Sequence, residues 1–207
     1  YFDVLDVSGQ LQAGVNTLAV VLQYFGRQGF SHRDSGTPGL LVDADVGSFG
    51  EWKVKHHPCY FDAGYVSNAY RLAENSVGYD ARQEFGDWTQ PSFDDSSWPL
   101  AERAAAVGEG PWGELYPRGF PQWFWSEPMA YLQTREVRNT NGDDFTYIQC
   151  ELPHNAQFLP LIEVDSKASG IRISVTVGQD TNNIHSTYMT KEGVQRHIFP
   201  GWINGET

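Results

Sequence analysis

The chain has 207 residues, 40% hydrophobic and 19% charged, enough for one large or two ordinary cores, with no like-charge run or low-complexity tract to suggest disorder. Against 14 Lys and Arg stand 26 Asp and Glu, a net charge of −12; so acidic a surface repels phosphate backbones and anionic headgroups, which excludes nucleic acid and membranes as partners. No stretch approaches the roughly 18 consecutive apolar residues of a membrane-spanning helix.

Cys59 and Cys150 are too far apart for a disulfide framework or a metal motif and read as two small buried residues. Aromatic residues reach 14%, alongside 21 Gly and 11 Pro. Rings favour pleated surfaces while Gly and Pro punctuate turns, so the balance predicts an all-β fold of many short strands. It also suits carbohydrate handling, because aromatic faces stack on the C–H surfaces of sugar rings; the competing reading is that the rings fill cores.

Residues 1–54 read as the later strands of a β-sandwich. Tyr1 to Val7 is a strand or strand end, and Ser8 to Gly14 a loop closed by a turn residue. Leu18, Val20, Leu22 and Tyr24 fall on one face of a strand, Leu40 to Val42 forms another, and Glu51 to Lys55 alternates with Trp52 and Val54 inward. Three or four strands fall short of the seven or so of a sandwich, so this domain is expected to be truncated at its N-terminus. Val66, Ala69, Tyr70 and Ala73 have helical spacing, and the Ala-rich run from Trp98 to Val107 allows a turn or two of helix. A second β unit follows. Asn141-Gly142 signals a hairpin, Ile148, Cys150 and Leu152 alternate, Ile162 and Val164 begin a strand beyond Pro160, and Ile171, Ile173, Val175 and Val177 oppose Arg172, Ser174 and Thr176. Asn204-Gly205 reads as a turn with no strand after it.

Three stretches carry a family resemblance. Tyr1-Phe2-Asp3-Val4 through Leu11, Gly14, Asn16, Thr17 and Leu18, with Trp52 downstream, is similar to a segment of α-L-rhamnosidases in which a galactose-binding-like jelly roll closes. Tyr79-Asp80-Ala81-Arg82, Trp88, Pro91, Phe93-Asp94-Asp95 and Trp98 resemble the same proteins most specifically. Tyr188 to Gln195 and Pro200 to Glu206 look like their second accessory sandwich. Val77 stands where the family has Glu, and Ser8 where it has Thr. The resemblance implies two β-sandwich units: residues 1–118 as the C-terminal part of a jelly-roll domain, and residues 119–207 as a second accessory sandwich incomplete at its C-terminus. It further implies a glycan or rhamnoside substrate and an inverting (α/α)6 catalytic barrel elsewhere on the same parent chain, with two carboxyl groups roughly 6.5–9.5 Å apart. No repeated amphipathic helices occur here, so this segment is expected to lack that domain and to hold no catalytic residue.

Candidate site residues follow from chemistry. Asp80 and Arg82 flank Ala81 and would share one side of a strand; either Asp80 accepts from a sugar hydroxyl or the two form a structural salt bridge. Trp123 and Trp125 flank Phe124 and offer either a stacking platform or interdomain packing. Asp94-Asp95 reads as a turn device. His32, His56 and His57 lack companions at zinc-ligand spacing, and no cofactor is expected. Calcium is the one ion left open, through Asn139, Asn141, Asp143 and Asp144, which a plain hairpin turn explains equally. Nothing in the residues fixes a compartment; a secreted or periplasmic one is the expectation. Two other classes compete: a free-standing carbohydrate-binding or adhesion module, and a structural domain that binds another protein.

Overall fold

Residues with strong β character become strands only where a neighbouring backbone completes the ladder, and in this chain such neighbours are concentrated in the second half. The computed structural model describes residues 1–26, 28, 34–45, 51–64, 76–103, 105–106, 108–122, 125–138, 146–176, 186–200 and 203–205. Among them are ten strands, three short 3-10 turns and no α-helix, so the fold is all-β. The chain divides into two compact units, one of Tyr1–Pro58 and Gln83–Gln122, the other of Cys59–Arg82 and Trp123–Thr207.

All ten strands of the described residues lie in the second unit: β1 (Tyr60–Asp62), β2 (Val77–Asp80), β3 (Gln133–Arg138), β4 (Thr146–Glu151), β5 (Ala156–Phe158), β6 (Leu161–Ser166), β7 (Arg172–Val175), β8 (Ser186–Met189), β9 (Gly193–Ile198) and β10 (Ile203–Gly205). A four-stranded sheet runs β1-β2-β8-β7, and β3-β4, β6-β9 and β5-β10 are two-stranded. Within the larger sheet β2 and β8 are parallel and the other pairs antiparallel. β8 is central and its Ser186, Thr187 and Tyr188 are all buried, as expected of a strand covered on both faces. β7 and β6 show the alternation read from sequence: Ile173, Val175, Ile162 and Val164 are half-buried while Arg172, Ser174, Glu163 and Asp165 are exposed. On β6-β9, Glu163 lies opposite Arg196 and pairs with it at 3.2 Å, a favourable cross-strand pair. Gly78 faces Phe61 across β1-β2. The Phe61 ring lies 2.2 to 2.6 Å from where a Cβ would be, so the ring fills the space the glycine vacates.

The core of this unit is Ala81, Tyr188 and Phe199, with Tyr79, Ile162, Ile173 and Val175 packed against it. Two of its buried polar side chains, Gln195 and Thr190, are bonded to several partners inside the unit. Gln195, 6% exposed, accepts from the Tyr188 hydroxyl (3.0 Å) and the Lys191 N–H (2.9 Å) and donates to the carbonyls of Lys191 (2.7 Å) and Gly193 (2.8 Å). One side chain thus fastens the connection from β8 to β9. Thr190, fully buried, donates to the Ala168 carbonyl (3.1 Å) and accepts from the Ile171 N–H (3.1 Å), which ties the β6-β7 turn to the end of β8.

The described part of the first unit has no ladder longer than a single bridge. Phe2 bridges Pro117 and Lys53 bridges Leu100, and Ser8–Gln10 and Gly110–Trp112 are 3-10 turns. The strands expected over Tyr1–Val7, Leu18–Tyr24, Leu40–Val42 and Glu51–Lys55 do not form: Leu18, Leu22 and Val54 are exposed, and among the described residues only single bridges, at Phe2 and Lys53, reach those runs. The loop before Leu18 is well fixed all the same. The Asn16 side chain accepts from the Gln12 N–H (2.9 Å) and donates to the Gln12 carbonyl (2.9 Å), around Gly14 at φ +102°, a conformation that favours glycine. The Ala-rich run forms no helix among its described residues, since Ala101 N–H donates to the Trp52 carbonyl and Val54 N–H to that of Pro99.

In the second unit, Ile203–Gly205 is a strand rather than a turn, because β5 pairs with it from Ile203↔Phe158 to Gly205↔Ala156; tertiary pairing overrides local turn chemistry here. The Asn141-Gly142 turn and the helical spacing at Val66 to Ala73 lie outside the described residues, although β3 and β4 flank the former in antiparallel register.

Replacing Gln195 with Ala removes four hydrogen bonds from a buried site and is expected to lower the unfolding free energy by about 2–4 kcal/mol in urea titration followed by circular dichroism. Val194→Thr, at an 83% exposed position of the same strand, is the control and should change it by less than about 0.5 kcal/mol.

Candidate functional site

Asp80 ends β2, and its N–H donates to the Cys59 carbonyl at 2.7 Å. The chain then turns through the 3-10 segment Ala81–Gln83, with Ala81 1% exposed in the core. The two charged residues therefore meet because the backbone turns, and not because a strand continues through them. Asp80 Oδ1 accepts from the Arg82 N–H (3.1 Å) and Nε (2.8 Å), and Oδ2 accepts from Nη2 (2.8 Å). This fork-to-carboxylate geometry is the strongest form of such a pair. The Asp80 side chain is 14% exposed and that of Arg82 44%. Hydrogen bonding from Arg82 holds the Asp80 carboxyl below the usual range, against a smaller opposing effect of burial.

Arg82 also explains a glycine. Gly170 sits at φ +83°, and a Cβ there would stand 3.2 Å from Arg82 Nη1, while its N–H donates to the Thr190 carbonyl at 2.7 Å. The guanidinium thus lies against the β6-β7 turn. The arrangement is a brace that joins β2 to that turn, and it leaves the remaining guanidinium donors for other acceptors.

Of the two indoles, Trp125 is 68% exposed and Trp123 lies outside the described residues. So do His32 and the calcium candidates Asn139, Asn141, Asp143 and Asp144. Among the described residues no group of three or more His, Cys, Asp or Glu is placed to hold a metal ion, and no helix is long and apolar enough to cross a membrane. Cys59 and Cys150 are both free thiols, the first buried and the second half-buried.

In the first unit the residues from Phe85 to Trp98 gather into an aromatic cluster. Phe85 lies 6.0 Å from Trp98, 6.3 Å from Phe93 and 6.5 Å from Trp88, and His57 packs edge-on to Phe85 at 5.1 Å. Burial lowers the pKa of His57, which favours its neutral form. The Lys55 ammonium stands 5.0 Å from the Phe85 ring and 5.7 Å from that of Trp98. Asp94 accepts from the Ser96 N–H at 3.0 Å and Asp95 pairs with Lys53 at 2.6 Å. Both carboxylates are therefore engaged in holding the turn.

Sequence reasoning did not find the second aromatic group, in the other unit. Tyr79 stacks on Tyr188 with rings 5.8 Å apart and 1° from parallel, and His197 lies 4.4 Å from Tyr79 and 4.8 Å from Tyr188. Only the β2-β8 pairing brings them together, and no local pattern signals it.

Part of the chain is similar to an alpha-L-rhamnosidase of Streptomyces avermitilis, 33% identical over 115 residues that make up 55% of this chain and 9% of that protein. It is also similar to an alpha-L-rhamnosidase of Formosa agariphila, 29% identical over 125 residues, 51% of this chain and 12% of that protein. The matched part spans about a tenth of the length of these curated relatives. No family model matches the chain, and no solved structure does.

Because the folded-state pKa of Asp80 is depressed, its contribution to stability is full above the ordinary carboxylate value and is lost as pH falls through the folded value. Asp80→Asn should therefore melt several degrees below the wild type at neutral pH. The two melting curves should converge as pH falls through the depressed folded-state value of Asp80, as read by calorimetry across the pH range.

Proposed function

We propose that this chain is a non-catalytic accessory segment of an α-L-rhamnosidase-like glycoside hydrolase. The observation that carries the reading is the similarity of about half the chain to two alpha-L-rhamnosidases in which the match is a small fraction of the protein. Such a segment would position a helical catalytic barrel on the same polypeptide and touch the distal part of a rhamnose-containing glycan. Residues 1–118 would be the closing part of a galactose-binding-like jelly roll and residues 119–207 a second accessory sandwich.

The all-β architecture suits this role, since sheets and braced turns give a rigid base for a neighbouring domain. Fold alone would not assign it; the similarity supplies the direction. Trp125, at 68% exposure, offers ring surface for stacking on a sugar, and Trp123 is the other residue assigned to the proposed platform. Asp80 and Arg82 supply polar contacts through whatever donors and acceptors their mutual clamp leaves open. The acidic pair Asp94 and Asp95 has no part in hydrolysis under this reading, because Ser96 and Lys53 already engage the two carboxylates.

The purified 207-residue chain is expected to release no p-nitrophenol from p-nitrophenyl α-L-rhamnopyranoside. Hydrolysis by the chain would overturn the non-catalytic assignment, and its loss in the Asp94→Asn/Asp95→Asn double variant would place it at that pair. Tryptophan fluorescence should report weak binding of a rhamnose-containing oligosaccharide that drops roughly tenfold in Trp125→Ala.

A further inference from the structure

At the Phe2–Pro117 bridge of the first unit is a cavity of about 270 Å³ lined by Phe2, Asp3, Arg118, Phe120 and Gln122 among others. The bridge itself fixes it: Phe2 N–H donates to the Tyr116 carbonyl at 2.9 Å and Arg118 N–H to the Phe2 carbonyl at 3.2 Å. Arg118 then reaches Asp3 through Nε at 2.5 Å and Nη2 at 2.7 Å. Its guanidinium also lies 4.9 Å from the centre of the Phe120 ring, and Tyr1 meets that ring edge-on at 5.6 Å. Phe2 and Phe120 remain 41% and 52% exposed. The polar groups are thus held by ion pairing and stacking before any ligand arrives, while apolar ring surface stays open beside them.

We infer that this cavity is a binding site for one neutral, polyhydroxylated ring, a single monosaccharide unit. Size argues for one ring, because the volume falls below the roughly 300–1,000 Å³ of pockets for drug-sized ligands. Charge argues for a neutral one. Hydrogen bonds from Arg118, then from Gln122, hold the Asp3 carboxyl ionised with a pKa of about 2, so the Arg118 charge is already balanced, and the chain carries −12 overall, which repels anions. Composition argues for a sugar: guanidinium and amide donors beside the partly exposed rings of Phe2 and Phe120 match hydroxyls on one side of a pyranose and C–H groups on the other. Asp80, Arg82, Trp123 and Trp125 play no part in it. The site rests on reading the chain as glycan-contacting, and it adds a location that reading does not name.

The test is a titration of the isotopically labelled 207-residue chain with D-galactose, D-glucose and L-rhamnose, and with D-glucuronate as the charged comparison, watching the Arg118 Nε–H and Phe120 ring resonances. At least one neutral sugar should shift both with a dissociation constant on the order of 1 mM. Gln122→Ala and Phe120→Ala should weaken it about fivefold or more, with Val194→Thr, at an 83% exposed position of the other unit, unchanged. No shift at these resonances, an equal shift in Phe120→Ala, or tighter binding of glucuronate than of any neutral sugar overturns the site. Binding abolished by Trp125→Ala instead would overturn the cavity and leave the accessory reading standing; hydrolysis of the aryl rhamnoside would overturn the accessory reading and leave the cavity standing.

Discussion

Gly78, Tyr79 and Asp80 of β2 lie in parallel register beside Thr187, Tyr188 and Met189 of β8, and most of what is ordered in the second unit refers back to those three pairs. The ladder puts Tyr79 on Tyr188 and brings His197 against both. It buries Ala81 beside Phe199, and so sets where the chain turns and where Arg82 can find Asp80. Parallel pairs need a crossover and cannot be made by a tight turn. The contact is therefore a product of tertiary packing, and the Asp80–Arg82 brace and the Gln195 knot both secure the end at which Asp80 lies beside Met189.

What the sequence disclosed was local. Alternation at Ile173 and Val175 and at Ile162 and Val164 is half-buried as read, because a period of two on a one-sided sheet is a direct imprint of burial. The same alternation at Leu18, Val20 and Leu22 led to strands that are not formed, since the pattern records fitness for a sheet and not the presence of a partner. Ile203–Gly205 erred in the opposite sense: turn residues were recruited as a strand once β5 lay alongside. At the site, the adjacency of Asp80 and Arg82 was legible from spacing, and the turn that joins them was not. The Tyr79–Tyr188 stack and the Asp3–Arg118 pair depend on residues far apart in the chain, which no window of sequence can register.

The two units differ in how they hold their apolar residues. Tyr188 and Phe199 are almost wholly withdrawn from water, whereas Val4 and Val15 in the first unit are 84% and 82% exposed. Order there comes from hydrogen-bonded turns, ion pairs and the ring cluster around Phe85. Such contacts fix local geometry well and contribute less than apolar burial does to cooperative stability.

The parallel partnership of β2 with β8 also has a consequence for biosynthesis. A ribosome delivering about 5–20 residues per second emits Tyr188 roughly 5–20 s after Tyr79, and during that interval β2 has only β1 beside it. One flank of the nascent β1-β2 ribbon stays open to any passing backbone until the distant partner arrives.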